Sequence, residues 1–383
     1  LCSYNVPLIK VDVQANNLTA SDFRGISICS VISKIFEHCI VQRYKRYLST
    51  SDNQFGFKSG LGCSHAINTV RCIVDRFVKC GSTVNLCALD LSKAFDKMNH
   101  HALFIKLMKR HIPLNLLCIL ESWFDNCFTC VKWYGVKSHF FKVNIGIRQG
   151  GVLSPFLFAI YLDDVVSRVC THVCGSALSI VLYADDIIIL SPSVQVLQEL
   201  LVACENELSY LDMALNVKKS CCMRIGQRCN VNCAAIVTVA GDRLPWVNEI
   251  RYLGVYISKF KHFKCSLDYA KRSFYRAANA IFGKIGRIAS EEVTLELVSK
   301  KCIPILTYGL EAFDLNISDK RALNYPCTRL LAKLFGTFDA GIIKDIQNFF
   351  NFVNPSEIVT KKQIKFLQGY NVTNNLLCNI VCT

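Results

Sequence analysis

The stretch Leu178–Ser191, LSIVLYADDIIILS, places two adjacent carboxylates, Asp185 and Asp186, in a run that is otherwise almost entirely apolar. A buried carboxylate without a partner costs several kcal/mol, and a second negative charge beside it raises that cost. Protonation, a cationic side chain or a bound metal ion can offset it, and the stretch contains neither lysine nor arginine. The pattern therefore favours a metal site at the turn between two predicted β-strands, Leu178–Tyr183 and Ile187–Leu190.

A third carboxylate stands at the end of another predicted strand. In NLCALDLSKAFD, residues 85–96, Asp90 follows five largely apolar residues. If this strand and the hairpin are neighbours in one sheet, three carboxylates converge with no His or Cys nearby. Such an oxygen-only site suits Mg²⁺ or Mn²⁺ better than Zn²⁺. Two divalent ions about 4 Å apart can hold the attacking and leaving oxygens of an in-line phosphoryl displacement.

The composition indicates a well-packed and basic chain. Of its 383 residues, 52% are hydrophobic and 19% are charged, which is enough for a large core. Lysine and arginine number 44 against 29 acidic residues, and the formal charge of +15 points to an anionic partner such as nucleic acid or an acidic membrane surface. No apolar run reaches the ~18 residues that a membrane-spanning helix needs.

The 22 cysteines are spread along the whole chain, which favours a reduced, intracellular compartment over a secreted disulfide framework. Two close pairs, Cys127 with Cys130 and Cys229 with Cys233, lack a second pair at zinc-site spacing, so we expect small buried side chains there. The chain begins at Leu1 without a pattern typical of a signal peptide, and we expect it to be a fragment of a longer product.

Three regions differ in their sequence pattern. Residues 1–82 combine an extended start, VPLIKVDVQ, with a helix pattern over Val31–Leu48, a glycine-punctuated loop, and a second helix from about His65 to Lys79. Residues 83–258 alternate predicted strands and helices and indicate an α+β sheet core. In residues 259–383 basic residues first recur with aromatic residues at helical spacing, which predicts a helical module.

The central region holds most of the predicted elements. Its helices are predicted over Asn99–Arg110, Leu114–Asn126, Ser154 to about Arg168, and Val194–Leu215. Its strands are predicted over Thr83–Ser92, in a hairpin over Cys130–Gly146, in the acid-bearing hairpin, and through RYLGVYIS, residues 251–258. The glycine-rich segment GIRQGG, residues 146–151, is either an ordinary turn into a helix or a loop that lets the backbone approach a nucleotide.

Several short segments follow one another in a characteristic order. They are FRGISICSVISKIFE, NQFGFKSGLGCSHAI, LDLSKAFDKMNHHAL, RQGGVLSPFLFAIYLDD, YADD, LNVKKS and RYLGVYIS. In this order and spacing they resemble the reverse transcriptase domain, and they look most like the domain of non-long-terminal-repeat (LINE-type) retrotransposons. The resemblance covers about Val6 to Ser258, and the remainder is similar in character to a thumb with a C-terminal extension.

This resemblance implies an α+β right-hand polymerase that copies RNA into DNA. It implies fingers in residues 1–82, a palm with an antiparallel sheet in residues 83–258 that includes a fingers insertion at about 110–150, and a helical thumb with a C-terminal extension in residues 259–383. The implied partners are an RNA template, a DNA primer or target and deoxynucleoside triphosphates, with no membrane and with the oligomeric state left open. The family also implies a nuclear location with a cytoplasmic ribonucleoprotein stage.

Matching positions imply which groups act in catalysis. The implied ligands of two Mg²⁺ ions, or of Mn²⁺ in their place, are Asp90, Asp185, Asp186 and the backbone carbonyl of Leu91. Lys219 in NVKKS matches the lysine that protonates the pyrophosphate leaving group, with the adjacent Lys218 as the alternative. Tyr183 would lie beside the primer terminus.

Other matching positions imply contacts to the incoming nucleotide. Phe95, five residues after Asp90, matches the aromatic residue that fills the space of a ribose 2′-hydroxyl, with a core phenylalanine as the alternative. Arg24 and Lys10 match fingers cations that hold the triphosphate. Gln149 and Gly150 match the loop that positions the nucleotide sugar and its base pair.

The chain also departs from the family pattern. Gly25 stands where the family usually has proline, and Ser64 and His65 stand where it often has threonine and an acid. Two alternatives to an active reverse transcriptase stay open: a truncated or repurposed copy that binds nucleic acid without turnover, and an RNA-dependent RNA polymerase, which would use metal ions in the same way. The second usually has glycine where Ala184 stands and no large aromatic residue at the position of Phe95.

Overall fold

The computed structural model describes residues 2–10, 18–170, 177–286 and 288–382. The strands are β1 (Cys2–Ile9), β2 (Phe23–Cys29), β3 (Val84–Leu89), β4 (Phe128–Trp133), β5 (Val136–Lys137), β6 (Phe141–Lys142), β7 (Ile180–Tyr183), β8 (Asp186–Ser191), β9 (Cys221–Ile225), β10 (Ile236–Val237), β11 (Arg243–Leu244), β12 (Glu249–Tyr252), β13 (Val255–Ser258) and β14 (Lys264–Cys265). The helices are α1 (Val31–Arg43), α2 (Cys63–Lys79), α3 (Ala94–Lys97), α4 (His100–Lys109), α5 (Leu114–Asp125), α6 (Ser154–Val169), α7 (Val194–Tyr210), α8 (Asp268–Ile285), α9 (Glu291–Lys301), α10 (Ile303–Thr307), α11 (Ile317–Phe335), α12 (Ala340–Phe349), α13 (Pro355–Asn371) and α14 (Leu376–Cys382).

A central antiparallel sheet has the strand order β7-β8-β3-β9. Its strands are nearly continuous apolar runs because both faces are covered. Alternate residues of β3 point to opposite faces. Val84 and Leu86 pack with α2 and the C-terminal helices, whereas Cys87 and Leu89 pack with α6 and α7. The sheet therefore lies between two hydrophobic cores, and its strand ends meet at one edge.

A second sheet joins the N-terminal strands to the middle of the chain. Strand β1 pairs antiparallel with β2 and parallel with β4, and β4 also pairs with β5 and β6. The predicted hairpin over residues 130–146 is thus three short strands, and its first strand begins two residues earlier, at Phe128. Buried Ser3 and Thr129 stabilise the pairing, since their hydroxyl oxygens lie 3.2 Å apart.

The C-terminal region is helical, as predicted. Helices α8 to α14 share a hydrophobic core with α2 and with β12, β13 and β14. The last two helices return to α2, where the Tyr370 hydroxyl lies 2.7 Å from the Thr69 hydroxyl and both residues are buried. Residues near the end of the chain therefore pack against the first quarter of the sequence.

Some predicted element boundaries are wrong. Helix α7 ends at Tyr210 rather than Leu215, because Asp212 adopts a left-handed backbone conformation (φ 53°) and the following residues run beside β3. Helix α1 ends at Arg43 rather than Leu48, and a tighter 3₁₀ turn then carries buried Leu48 into the core. In the predicted extended start, residues 11–14 lie outside the described residues.

Part of the predicted fingers packs against the sheet of the predicted palm. Residues 53–79 fall within the predicted fingers (1–82), yet they contact the central sheet, because Gln54 forms a bridge with Leu182 and α2 packs on β3 and β7. Cys127, Cys130 and Cys229 are free and buried, in agreement with their predicted role as small core side chains, whereas Cys233 is only partly buried. Within the described ranges, no helix is both long and apolar enough to cross a membrane.

Candidate active site

The two adjacent carboxylates lie at a tight turn between β7 and β8. Tyr183 pairs with Asp186 across the hairpin, which leaves Ala184 and Asp185 as the two central residues. We call Tyr183–Asp186 the acidic turn. Ala184 has φ 57°, a left-handed conformation that is uncommon for residues other than glycine. The second strand begins at Asp186, so this carboxylate belongs to the sheet and only Asp185 lies at the tip.

Asp90 reaches the same edge from the neighbouring strand. Leu89, the last residue of β3, is paired with Ile187 of β8, so Asp90 lies beside Asp186. Its backbone is fixed from the other side, because its N–H donates to the Ser220 hydroxyl (3.1 Å) and its carbonyl accepts from the Asn216 N–H (2.8 Å). The Asn216 amide also donates to the Asp90 carboxylate (3.1 Å). The sheet register therefore brings the three predicted acids together.

The environment of Asp185 and Asp186 favours their neutral forms. Burial raises the pKa of Asp185 and raises the pKa of Asp186 to about 6, and in each case the negative charge of Asp90 adds to the rise. Asp185 further raises the pKa of Asp186. Arg24 and Arg251 lower the two pKa values, respectively, yet within the described part of the chain none of the three acids forms an ion pair. The charges are therefore held without a protein counter-ion in contact.

This donor set has the chemistry that hard divalent cations prefer. The fourth predicted ligand is the backbone carbonyl of Leu91. Leu91 pairs with Leu215 in a β-bridge, but the hydrogen bonds of this bridge are made by the Asp90 carbonyl and the Ser92 N–H, so they do not use the Leu91 carbonyl. Across the described residues, however, no three His, Cys, Asp or Glu side chains are close enough to hold a metal ion as they stand.

Replacing Asp186 with asparagine is expected to stabilise the metal-free protein. Its pKa rises from 3.8 to about 6 on folding, so the folded state binds the proton more tightly and stability falls as pH increases between these values. At pH 7.5 with EDTA the full cost applies, on the order of 3 kcal/mol. Thermal unfolding should show a higher Tm for Asp186→Asn at pH 7.5 and no gain near pH 4, while Asp345→Asn, on the exposed face of α12, should change Tm little at either pH. An unchanged Tm for Asp186→Asn at pH 7.5 would contradict the electrostatic assignment.

Three residues predicted to contact the nucleotide form a second group around α3, which follows Asp90 in the chain. Phe95 stacks on Phe158 with ring centroids 4.2 Å apart, and its carbonyl accepts from the Ile147 N–H (2.9 Å). The Gln149 amide donates to the Asp96 carboxylate (3.2 Å). Gly150 has φ 129°, and a Cβ there would lie 2.4 Å from the Ser27 carbonyl oxygen, so only glycine fits. The glycine-rich loop is thus held against α3 and β2.

The remaining predicted residues differ in their proximity to the acids. Arg24 is exposed on β2, and its charge acts on Asp185. Tyr183 is partly buried at the end of β7, where burial and a side-chain hydrogen bond with Cys63 raise its pKa. Lys10 follows β1, and its N–H donates to the Asp22 carbonyl (2.9 Å). Lys219 is exposed in the turn before β9, whose residues Asn216 and Ser220 hydrogen-bond Asp90, but among the described residues no contact joins the Lys219 side chain to the acids.

Sequence reasoning missed Gln54, which holds the acidic turn. Its side-chain oxygen accepts from the N–H groups of Ala184 and Gly56, both at 2.9 Å, and its amide nitrogen donates to the Ala184 carbonyl (3.4 Å). Gln54 is fully buried, and a Cβ on Gly56 would lie 2.5 Å from the Ala184 nitrogen. The signal was present, because NQFGF contains two amides in a segment that is otherwise apolar.

Sequence reasoning also missed a buried ion pair beneath the glycine-rich loop. Glu37 of α1 and Arg148 lie 4.0 Å apart, with side chains only 2% and 6% exposed. The Glu37 carboxylate accepts from the N–H groups of Val152 (2.5 Å) and Leu153 (2.9 Å) ahead of α6, and the guanidinium lies over the Trp123 ring. A glutamate in an ordinary helix pattern gives no sign of such burial.

Comparison with known proteins establishes the family. Residues 12–257 match the family model described as "Reverse transcriptase (RNA-dependent DNA polymerase)". The chain belongs to this family. Family membership and the mixed helix and sheet architecture confirm both the predicted resemblance to non-long-terminal-repeat elements and the predicted α+β right-hand polymerase fold.

The relatives of this reverse transcriptase domain are retrotransposon proteins. It is 25% identical to the Pol polyprotein of the type-2 retrotransposable element R2DM of Drosophila melanogaster, over 64% of this chain and 24% of that protein. It is 24% identical to the RNA-directed DNA polymerase of the mobile element jockey of Drosophila funebris, over 77% of this chain and 33% of that protein. A solved apo telomerase from Candida tropicalis is 14% identical, with a TM-score of 0.49 over 98% of this chain and 70% of that one. The chain spans about a quarter to a third of the lengths of these two retrotransposon relatives.

Proposed function

We propose that the chain is an RNA-directed DNA polymerase of a retrotransposon, which extends a DNA primer with deoxynucleotides on an RNA template by two-metal nucleotidyl transfer. The observation that carries the proposal is the convergence of Asp90, Asp185 and Asp186 at one edge of the central sheet in a member of the reverse transcriptase family. Two bound Mg²⁺ ions, or Mn²⁺, would supply charge neutralisation at the attacking and leaving oxygens.

The residues of the chain would position the reactants around these carboxylates. Arg24 is exposed, its charge acts on Asp185, and it can donate to triphosphate oxygens, with Lys10, directly after the adjacent strand β1, as a second cation. Gln149 and Gly150 would place the nucleotide sugar, and Tyr183 the primer terminus. Lys219 would give a proton to the departing pyrophosphate, and the turn that carries it is already hydrogen-bonded to Asp90 through Asn216 and Ser220.

Charge and exposed aromatic residues support an RNA template as partner. The chain has a formal charge of +15. On the β4–β5 hairpin, Tyr134 is 95% exposed and Trp133 is partly exposed, and Lys132 and Lys137 flank them. Aromatic faces stack on unpaired bases, and lysines bind the phosphate backbone. By the same family reasoning we propose a nuclear site of action with a cytoplasmic ribonucleoprotein stage.

Incorporation of labelled dTTP on poly(rA)/oligo(dT) with Mg²⁺ tests the proposed function directly. We expect the wild-type protein to extend the primer, and to use dTTP in preference to UTP. Preferential use of UTP would favour an RNA polymerase instead. A folded protein that shifts the primer-template on a gel without incorporating nucleotide would indicate a catalytically silent nucleic-acid-binding copy.

Phe95→Ala is expected to weaken the discrimination against ribonucleotides. The ring is only partly buried and stacks flat on Phe158, so it is held rigidly in place. Its removal would open space for a 2′-hydroxyl and raise the ratio of kcat/KM for UTP over dTTP by roughly 10²-fold. The control variant is Phe158→Leu, which removes the ring that stacks on Phe95 and should change the ratio of kcat/KM for UTP over dTTP less. An unchanged ratio in Phe95→Ala would leave Phe95 as a core residue only.

A further inference from the structure

A short loop supports the acidic turn from one side. The loop, residues 51–57, is called the turn-holding loop below. The Asn53 amide donates to the Ile180 carbonyl (2.7 Å), the Leu182 N–H donates to the Asn53 carbonyl (2.9 Å), and the Phe55 N–H donates to the Leu182 carbonyl (2.8 Å). With the contacts from Gln54 to Ala184, the loop is hydrogen-bonded to β7 and to the first half of the turn, from Ile180 to Ala184. Its own position therefore sets the position of the turn.

The turn-holding loop is itself bound by the C-terminal part of the chain. The Asn375 amide donates to the Asp52 carbonyl (2.8 Å), and the Leu376 N–H donates to the Asp52 carboxylate (3.0 Å). The Asn375 side-chain oxygen accepts from the Cys378 N–H (3.0 Å), so the same residue caps the first turn of α14. We call residues 372–380 the C-terminal strap. Asp52 directly precedes Asn53, so no flexible spacer separates the two sets of contacts.

The strap is firmly anchored on α2. Tyr370, at the end of α13, bonds with Thr69, and the Cys378 sulfur lies 3.6 Å from the same hydroxyl. His65 contacts the rings of both Tyr370 and Phe366, at centroid distances of 5.8 and 5.1 Å. Tyr370, Thr69 and Cys378 are fully buried. Buried contacts of Tyr370, just before the strap, and of Cys378 within it therefore attach the strap to α2.

We propose that Asn375 and Asp52 are positioning residues of the active site, which fix the acidic turn through the turn-holding loop. The inference rests on the proposed function, because the geometry that it fixes is that of the proposed metal-binding turn. The turn needs such support, since Ala184 has an unfavourable backbone conformation and the adjacent carboxylates repel one another. Reacting groups must be held within about 0.5 Å of their productive positions.

The sharpest test is Asn375→Asp in the full chain. The new carboxylate still accepts from the Cys378 N–H, so the helix cap is kept, but it cannot donate to the Asp52 carbonyl and it repels the Asp52 carboxylate. We expect hydrogen exchange in peptides covering residues 53–56 and 180–186 to accelerate by about tenfold or more. We also expect kcat for dTTP incorporation to fall by about tenfold, with KM changed by less than about twofold.

Two further variants separate positioning from general damage. Arg76→Ala removes a contact between α2 and the strap, from the guanidinium to the Ile380 carbonyl (3.4 Å), that does not reach the turn-holding loop. It should leave exchange in 180–186 unchanged. Asp52→Asn combined with Asn375→Asp replaces the repulsion by an amide–carboxylate pair and should restore slow exchange and most of kcat.

Different outcomes would contradict the positioning role and the proposed polymerase function. Exchange in residues 180–186 that stays at the wild-type rate in Asn375→Asp would overturn the positioning role. Equal acceleration in Arg76→Ala would overturn it as well, because the effect would then be general loosening. Absence of incorporation by the wild type would overturn the proposed function, while the exchange measurement would still show whether the strap holds the turn.

Discussion

Asp185→Asn is expected to reduce primer extension by about 10³-fold or more. Asp185 lies at the tip of the acidic turn beside Asp90 and Asp186, and an amide supplies neither its charge nor its full set of oxygen donors. Charge neutralisation at the reacting oxygens is worth several kcal/mol, and each 1.36 kcal/mol corresponds to a tenfold change in rate. The measurement is dTTP incorporation on poly(rA)/oligo(dT) with Mg²⁺, with the wild type beside the variant.

A second measurement separates loss of metal binding from loss of folding. Mn²⁺ should raise the Tm of the wild type, because a ligand that binds only the folded state stabilises it. The same addition should raise the Tm of Asp185→Asn much less, while Asp345→Asn should behave as the wild type in both assays. Incorporation by Asp185→Asn at the wild-type rate would remove the metal assignment altogether.

Glu37→Ala is expected to cost about 3 to 5 kcal/mol of folding free energy, since it leaves the Arg148 guanidinium buried without its partner. It also removes the acceptor for the N–H groups of Val152 and Leu153 at the start of α6. We expect Tm to fall by roughly 5 to 15 °C. We also expect KM for dTTP to rise, because the loop that carries Gln149 and Gly150 loses its support.

The pair can be tested by removing both charges. Glu37→Leu combined with Arg148→Met replaces the ion pair with apolar side chains, and it should recover a large part of the stability that Glu37→Ala loses. Glu37→Gln keeps a hydrogen-bond acceptor but no charge, and its stability should lie between those of Glu37→Ala and the double variant. A loss below about 1 kcal/mol in Glu37→Ala would show that the pair and the cap are not structurally important.

The central sheet was predictable because its strands carry a strong local pattern. The apolar runs around Asp90 and Asp185 bound the strands, and the order of motifs identified the family. The parallel pairing of β1 with β4 was not predictable, since hydrogen bonds between residues 125 or more positions apart leave no local signal. Helix α7 was predicted too long because helix propensity continues past Tyr210, whereas the pairing of Leu215 with Leu91 overrides it.

The acidic residues of the candidate site could be predicted from the sequence, but the residues that hold them in place could not. Residues with unusual chemistry for their surroundings, such as Asp185 and Asp186, are conspicuous in a sequence. The residues that support them are not, because Gln54 and Glu37 belong to types that are usually exposed. Their burial depends on which distant segments pack over them, and a single sequence does not encode that in any short pattern.

The contact between Asp52 and Asn375 also has a consequence for the order in which the protein folds. The two residues are 323 positions apart, so one partner emerges from the ribosome long before the other is made. At synthesis rates of roughly 5 to 20 residues per second, this delay is about 16 to 65 seconds. During translation the sheet around Asp185 can form early, but the loop beneath it lacks its last support until residue 376 is free. The candidate site therefore gains this support only after the segment around residue 376 has been synthesised.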